Sequence, residues 1–221
     1  MISNVYKKIY SLKILLLTVF ICFYPNISIA NEQAEREIKS YIKNIKSIAV
    51  EFVQLDSAGN RSEGMLIVDK PYKFRCNYYE PFPLLISGNT NYISVYDFEM
   101  KHISRIKAKE NVFNFLLLDE IDFSKQFRIL SSIKNQDGYV FKIQSTQNDK
   151  ISEITFDVQS KAIKQLKILE DNNIINLSFG RVFDISSPDE QLFLMPHPDR
   201  FGPPKRYTRT ELKKKLGIRP L

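Results

Sequence analysis

From Ser47 onward, apolar residues return at every second position in short runs, and this period of two constrains the fold more than any other feature. SIAVEFVQL, GMLIV, YKFRCNYY, PLLIS, NYISVYD and MKHISRI are separated by DSAGN, DKP, YEPFP, SGNT and DFE. GYVFKIQS, ISEITFDV, IKQLKILE and NIINLSFGRV follow, joined by QNDK, DVQSKA and EDN. Turn residues at such short intervals are the rhythm of an antiparallel meander. Ile154, Phe156 and Val158 face one way, with Glu153, Thr155 and Asp157 opposite. Likewise Leu166 and Ile168 oppose Gln165 and Lys167, and Ile175, Leu177 and Phe179 oppose Asn176 and Ser178. The pattern predicts a sheet with one apolar face and one wet face. About ten such strands with few helices predict a mainly β (α+β) chain, a strongly curved sheet or incompletely closed antiparallel barrel, since a flat sheet that wide would leave its apolar face bare. Two covers are at hand: an amphipathic helix carrying Ala34, Ile38, Tyr41, Ile42 and Ile45 on one stripe, and the apolar patch NVFNFLLLDEID.

Ahead of the helix, a basic segment with Lys7, Lys8 and Lys13 precedes the apolar run ILLLTVFICFY and then Ser28-Ile29-Ala30. This order predicts a secretory signal peptide over residues 1–30, cleaved after Ala30. The run is too short to serve comfortably as a membrane anchor. Val19-Phe20-Ile21 before Cys22 lacks the small residue that a lipoprotein signal places before its cysteine. A soluble, exported, periplasmic protein is expected, its body comprising residues 31–201. Processing changes the charge from 32 basic against 25 acidic residues to 29 against 25. Residues 202–221 form a basic extension, and the eight Lys and Arg after Met195 leave a near-neutral body; the ordinary meaning of such a run is solvation. Cys76 is then alone, so no internal disulfide is expected.

Motifs for chemistry are sparse. His102 and His197 stand apart from each other and from any zinc-type spacing, and no GxSxG elbow or glycine-rich phosphate loop occurs. Ser87-Gly88 reads as a turn, and Asp119, Glu120 and Asp122 as the solvated end of an apolar patch. Nucleic-acid binding would require aromatics interleaved with cations on one face, which only the tail around Tyr207 approaches. No enzyme activity, cofactor, metal or nucleic acid is expected. In YKFRCNYY, alternation puts Phe74, Cys76 and Tyr78 on one face and Arg75 on the other, away from the thiol it would have to activate. What the chain has in excess is Phe and Tyr, 27 together with no Trp. A concave apolar face under a helix suits an apolar ligand, and it equally suits a barrel filled by its own side chains.

Several motifs, in order, bear on that choice. Phe52-x-Gln54 follows the helix; Gly64-Met65-Leu66, Lys70-Pro71, Phe74-Arg75, Tyr78-x-x-Pro81, Ile86-Ser87-Gly88 and Val95-Tyr96-Asp97 come next, and Leu192-Phe193 with Pro196 closes the set. From about Ile38 to Phe201 the chain resembles the LolA family of periplasmic outer-membrane lipoprotein carriers. The resemblance implies an incompletely closed barrel with a helical lid over an apolar cavity that holds lipoprotein acyl chains. It implies, as partners, acylated lipoproteins, an inner-membrane ABC lipoprotein-releasing complex and, for delivery, either the outer membrane itself or an outer-membrane lipoprotein receptor, with the carrier itself a monomer. The expected cavity lining is Ile38, Ile42 and Ile45 of the helix, Phe52, Phe74, Cys76, Tyr78, Phe156 and Phe179 of the strands, and Phe113, Leu116 and Leu117 of the apolar patch. The family's lid latch is an Arg before Pro, a position held here by Lys70, and Cys76 stands where a ring is common. A sensor or scaffold of the same fold, docking a membrane-protein partner without carrying lipid, is the alternative.

Overall fold

A computed structural model describes residues 27–89, 91–107, 117, 125, 127–146, 149–170 and 173–219. The chain divides into two compact units, Met1–Glu35 and Arg36–Leu221, and the sheet lies wholly in the second. Helix α1, Ile27–Asn44, leads into β1 (Ser47–Leu55), β2 (Arg61–Asp69), β3 (Lys73–Tyr78), β4 (Leu84–Gly88), β5 (Tyr92–Asp97) and β6 (His102–Lys107). After the patch come β7 (Phe127–Lys134), β8 (Gly138–Ser145), β9 (Ile151–Asp157), β10 (Ala162–Glu170) and β11 (Asn173–Asp184). Short helices α2 (Pro198–Phe201) and α3 (Arg209–Lys215) follow a 3-10 turn at Glu190–Phe193. All described strands join one antiparallel sheet in the order β6-β5-β4-β3-β2-β1-β11-β10-β9-β8-β7, which leaves β6 and β7 as unpaired edges. The barrel is open.

One strand, β7, has no counterpart among the sequence-predicted runs. Its pairing with β8 shifts register between Ile129 and Ser131, so the alternation that starts at Phe127 and Ile129 is broken before Ile133.

Two aromatic side chains of the concave face lie over glycines. Phe52 pairs with Gly64 and Phe74 with Gly88. A Cβ at Gly64 would come 2.6 Å from the Phe52 ring, and one at Gly88 would come 2.0 Å from that of Phe74. Only glycine lets these rings lie flat across the neighbouring strand.

The expectation of one wet face holds for part of the sheet and fails for the rest. On β8–β11 the row Lys142, Glu153, Lys167, Asn176 runs across adjacent strands, with Lys167 and Glu153 paired at 3.3 Å. On β1–β5 much of the outer face is covered by the C-terminal segment, while β6 stays largely exposed. Ala49, Met65 and Ile67 of β1 and β2 pack with Ile185, Leu192, Phe193 and Leu212, and Tyr207, Leu216 and Ile218 close over them. A polar row continues across that face, each residue opposite the next: Arg75, Ser87, Ser94, Arg105. Arg75 donates to the carbonyl of Leu192 at 3.1 Å, Ser87 to that of Phe193 at 2.7 Å and Arg105 to that of Met195 at 2.9 Å. The residues after β11 are thus laid along the row, their carbonyls satisfied strand by strand.

The basic extension is therefore docked, not solvated. Arg209 pairs with Glu51 and Glu63, Lys213 with Glu51 and Lys215 with Asp189. Thr208 and Glu211 close a capping box at the start of α3, and Leu212 beneath is fully buried. Much of the tail's positive charge is spent on acids of this same face.

Candidate functional site

The concave face holds an apolar cavity of about 250 Å³. Phe52 and Gln54 of β1, Leu66 of β2 and Phe74, Cys76 and Tyr78 of β3 form its floor. Ile86, Ile93, Val95 and Ile106 of β4–β6 rise on one side, and Ile168, Ile175, Leu177 and Phe179 of β10–β11 on the other. Edge strand β6 and strand β10, far apart in sheet order, thus line one space, which requires the sheet to curl. A second, smaller space of about 20 Å³ adjoins it through Leu66 and Phe179, between Tyr41 and Ile45 at the helix end and Ile48, Val50 and Val68 of the sheet.

The sequence-predicted site residues divide accordingly. Phe52, Phe74, Cys76, Tyr78 and Phe179 line the larger cavity, and Ile45 lines the smaller one. Ile38, Ile42 and Phe156 are fully buried, with the Tyr41 ring edge-on to Phe156 at 5.5 Å, and line neither space. Leu117 is buried and its carbonyl accepts from the Tyr72 amide at 2.9 Å. Phe113 and Leu116 lie outside the described residues. Lys70 donates through Nζ to the carbonyl of Ile42 in the last turn of α1, and its own amide donates to Lys46 at 2.8 Å. A cation is favoured at that end of a helix, where carbonyls lack internal partners.

Cys76 keeps some surface, which faces the cavity, while burial pushes its thiol up to about 12. The thiolate needed for nucleophilic chemistry is thereby scarce. Arg75 points to the opposite face, as alternation predicts, but that face is not wet. Its guanidinium is buried against the Tyr207 ring, 5.1 Å from the centroid, and donates to Lys205 at 2.6 Å, with burial lowering its pKa to about 10. Gln54, absent from the predicted lining, is brought in by its place two residues after Phe52, which is the signal that identifies it.

Among the described residues, then, an open half-barrel holds a cavity lined almost wholly by apolar side chains. The chain belongs to the family described as "Outer membrane lipoprotein carrier protein LolA", whose family model matches residues 43–196. It is 44% identical over 209 residues to an uncharacterized protein of Rickettsia prowazekii (strain Madrid E), covering 93% of this chain and 98% of that one. An outer-membrane lipoprotein carrier protein of Nitrosospira multiformis is 24% identical, with 84% of this chain and 92% of the relative covered. Among solved structures, a LolA superfamily protein of Nitrosomonas europaea is 9% identical with a TM-score of 0.44, covering 73% of this chain and 97% of that one. The family is one of carriers, and its members are periplasmic.

Proposed function

We propose that this protein is a periplasmic chaperone which takes lipoprotein acyl chains into the cavity and carries them from the inner to the outer membrane. The observation that carries the proposal is the cavity: an open apolar space spanning β1–β6 and β10–β11, adjoined by the smaller space at the helix end. Each methylene buried there in place of water contributes about 0.8 kcal/mol, so an acylated protein that could not cross water alone can cross in such a holder. The leader over residues 1–30 would deliver the chain to that compartment. An inner-membrane ABC lipoprotein-releasing complex would load it, and the outer membrane or a lipoprotein receptor there would unload it, the carrier acting as a monomer. Coexpression with an acylated lipoprotein, followed by mass analysis of the purified complex, is expected to show the two together. Recovery of a ligand-free protein that never releases lipoproteins from inner-membrane vesicles would overturn the proposal.

One observation favours a second role, docking a membrane-protein partner. A groove of about 660 Å³ on the outer face, between Arg61 and Glu63, Tyr79–Pro83 and Arg206–Arg209, is larger than the cavity. Loss of cellular function on deleting residues 202–221, with lipid binding intact, would support it.

A further inference from the structure

Gln54 and Tyr78 are the two side chains of the cavity lining that carry a strong hydrogen-bonding group. The Tyr78 hydroxyl donates to Gln54 Oε1 at 2.6 Å, and burial holds that hydroxyl far above its ordinary pKa, so it remains a donor. The Gln54 oxygen is thereby engaged, while its amide N–H groups have no protein acceptor among the described residues. Gln54 is half-buried, so water can meet these donors while the cavity is empty; a chain that displaces the water must replace that acceptor, and the group that does so without adding an unsatisfied donor of its own is a carbonyl. We propose that the Gln54 amide, oriented by Tyr78, binds the ester or amide carbonyl at the polar end of an acyl chain and so sets how deep the chain enters. This rests on the acyl-carrying function proposed above.

The position of the pair gives the chain a direction. Along the concave side of β1, Ile48 and Val50 face the helix end, Phe52 follows, and Gln54 lies farthest from the helix. A chain with its methyl end toward Ile48 places its carbonyl at Gln54; reversed, the carbonyl would meet Ile48, Val50, Val68 and Ile163, where the one side-chain hydroxyl, that of Tyr41, is already bonded to the Ile163 backbone. Tyr78 is itself fixed. Its ring meets Phe52 edge-on at 5.1 Å and Phe82 at 4.7 Å. From the other face of the sheet, Arg206 donates to the carbonyls of Tyr78 and Phe82. The docked tail thus braces the polar pair from behind.

The test uses displacement of the fluorescent probe N-phenyl-1-naphthylamine from the purified protein by methyl laurate and by pentadecane, which match in number of heavy atoms and differ in the ester. Gln54→Leu is expected to weaken methyl laurate about three- to tenfold, the worth of one net hydrogen bond, and to leave pentadecane within about twofold. Gln54→Met should do the same, and retained pentadecane binding reports that each variant is folded. Equal shifts for both ligands, or none for either, would overturn the role of Gln54 while leaving the cavity a lipid site. Failure of both ligands to displace the probe from the wild type would overturn the acyl-binding function and, with it, this proposal.

Discussion

Leu212→Ala discriminates a docked tail from a solvated one. Leu212 is fully buried on α3 among Ala49, Met65, Ile67, Ile185, Leu192 and Phe193. Helix α3 has seven residues, too few to persist in water by itself, so its packing must hold it. The ion pairs around it involve partly exposed side chains, each worth between zero and about 1 kcal/mol, and do not replace that packing. Removing a buried leucine side chain to alanine costs about 2–5 kcal/mol when the site does not collapse. In a domain of this size each kcal/mol lowers Tm by about 2–4 °C, so a fall of about 4–20 °C is expected, with a matching fall in urea midpoint. Lys214→Ala, exposed on the same helix, serves as the control and should stay within about 0.5 kcal/mol. If Leu212→Ala also falls within about 0.5 kcal/mol of wild type, the segment is no part of the folded body, and the account of the outer face is wrong.

Two further outcomes follow from the site. Lys70→Met removes a charged donor to the Ile42 carbonyl, and amide exchange at Ile42–Ile45 should quicken about ten- to a hundredfold, the worth of a hydrogen bond to a charged group; unchanged exchange would show that Lys70 does not hold the helix. Burial raises the Cys76 thiol from 9.0 to about 12, so its contribution to stability is present below pH 9 and lost as pH rises from there toward 12. In a Cys22→Ser chain, iodoacetamide should label Cys76 slowly at pH 8, and about tenfold faster for each pH unit up to 11. Labelling at pH 8 as fast as a free thiol would contradict that burial.

Much of the concave face was legible because one residue out of two reports it. Phe74, Cys76 and Tyr78 fall where strict alternation puts them, and the same rule applied from Phe52 reaches Gln54. The outer face was harder to read, because its partners are distant in sequence. GMLIV is a continuous apolar run, the mark of a strand buried on both sides, yet nothing local says what covers Met65 and Ile67. The cover is Leu212, Leu216 and Ile218, apolar residues dispersed among lysines, whose charge masks a helical stripe. Strand β7 escaped for a local reason, since its register shift between Ile129 and Ser131 cancels the period of two that reveals its neighbours.

Strand β3 belongs to both faces, and this locates where the site can give. Its inner side supplies Phe74, Cys76 and Tyr78; its outer side, through Arg75 and Asn77, is bonded to the carbonyls of Leu192, Lys205 and Tyr207. With Phe52 and Phe74 seated on Gly64 and Gly88, that wall is fixed on every side. A cavity of about 250 Å³ falls just below the range of about 300–1,000 Å³ for ligand pockets, so several acyl chains require added room. Room adjoins at the helix end, where the smaller space opens between Tyr41, Ile45 and Ile48. There the Ile42 carbonyl is held by the ammonium of Lys70, a point donor without the planar fork of an arginine. If the proposed function holds, loading would move the helix and not the wall, and a lysine at position 70 would oppose that movement less than an arginine would.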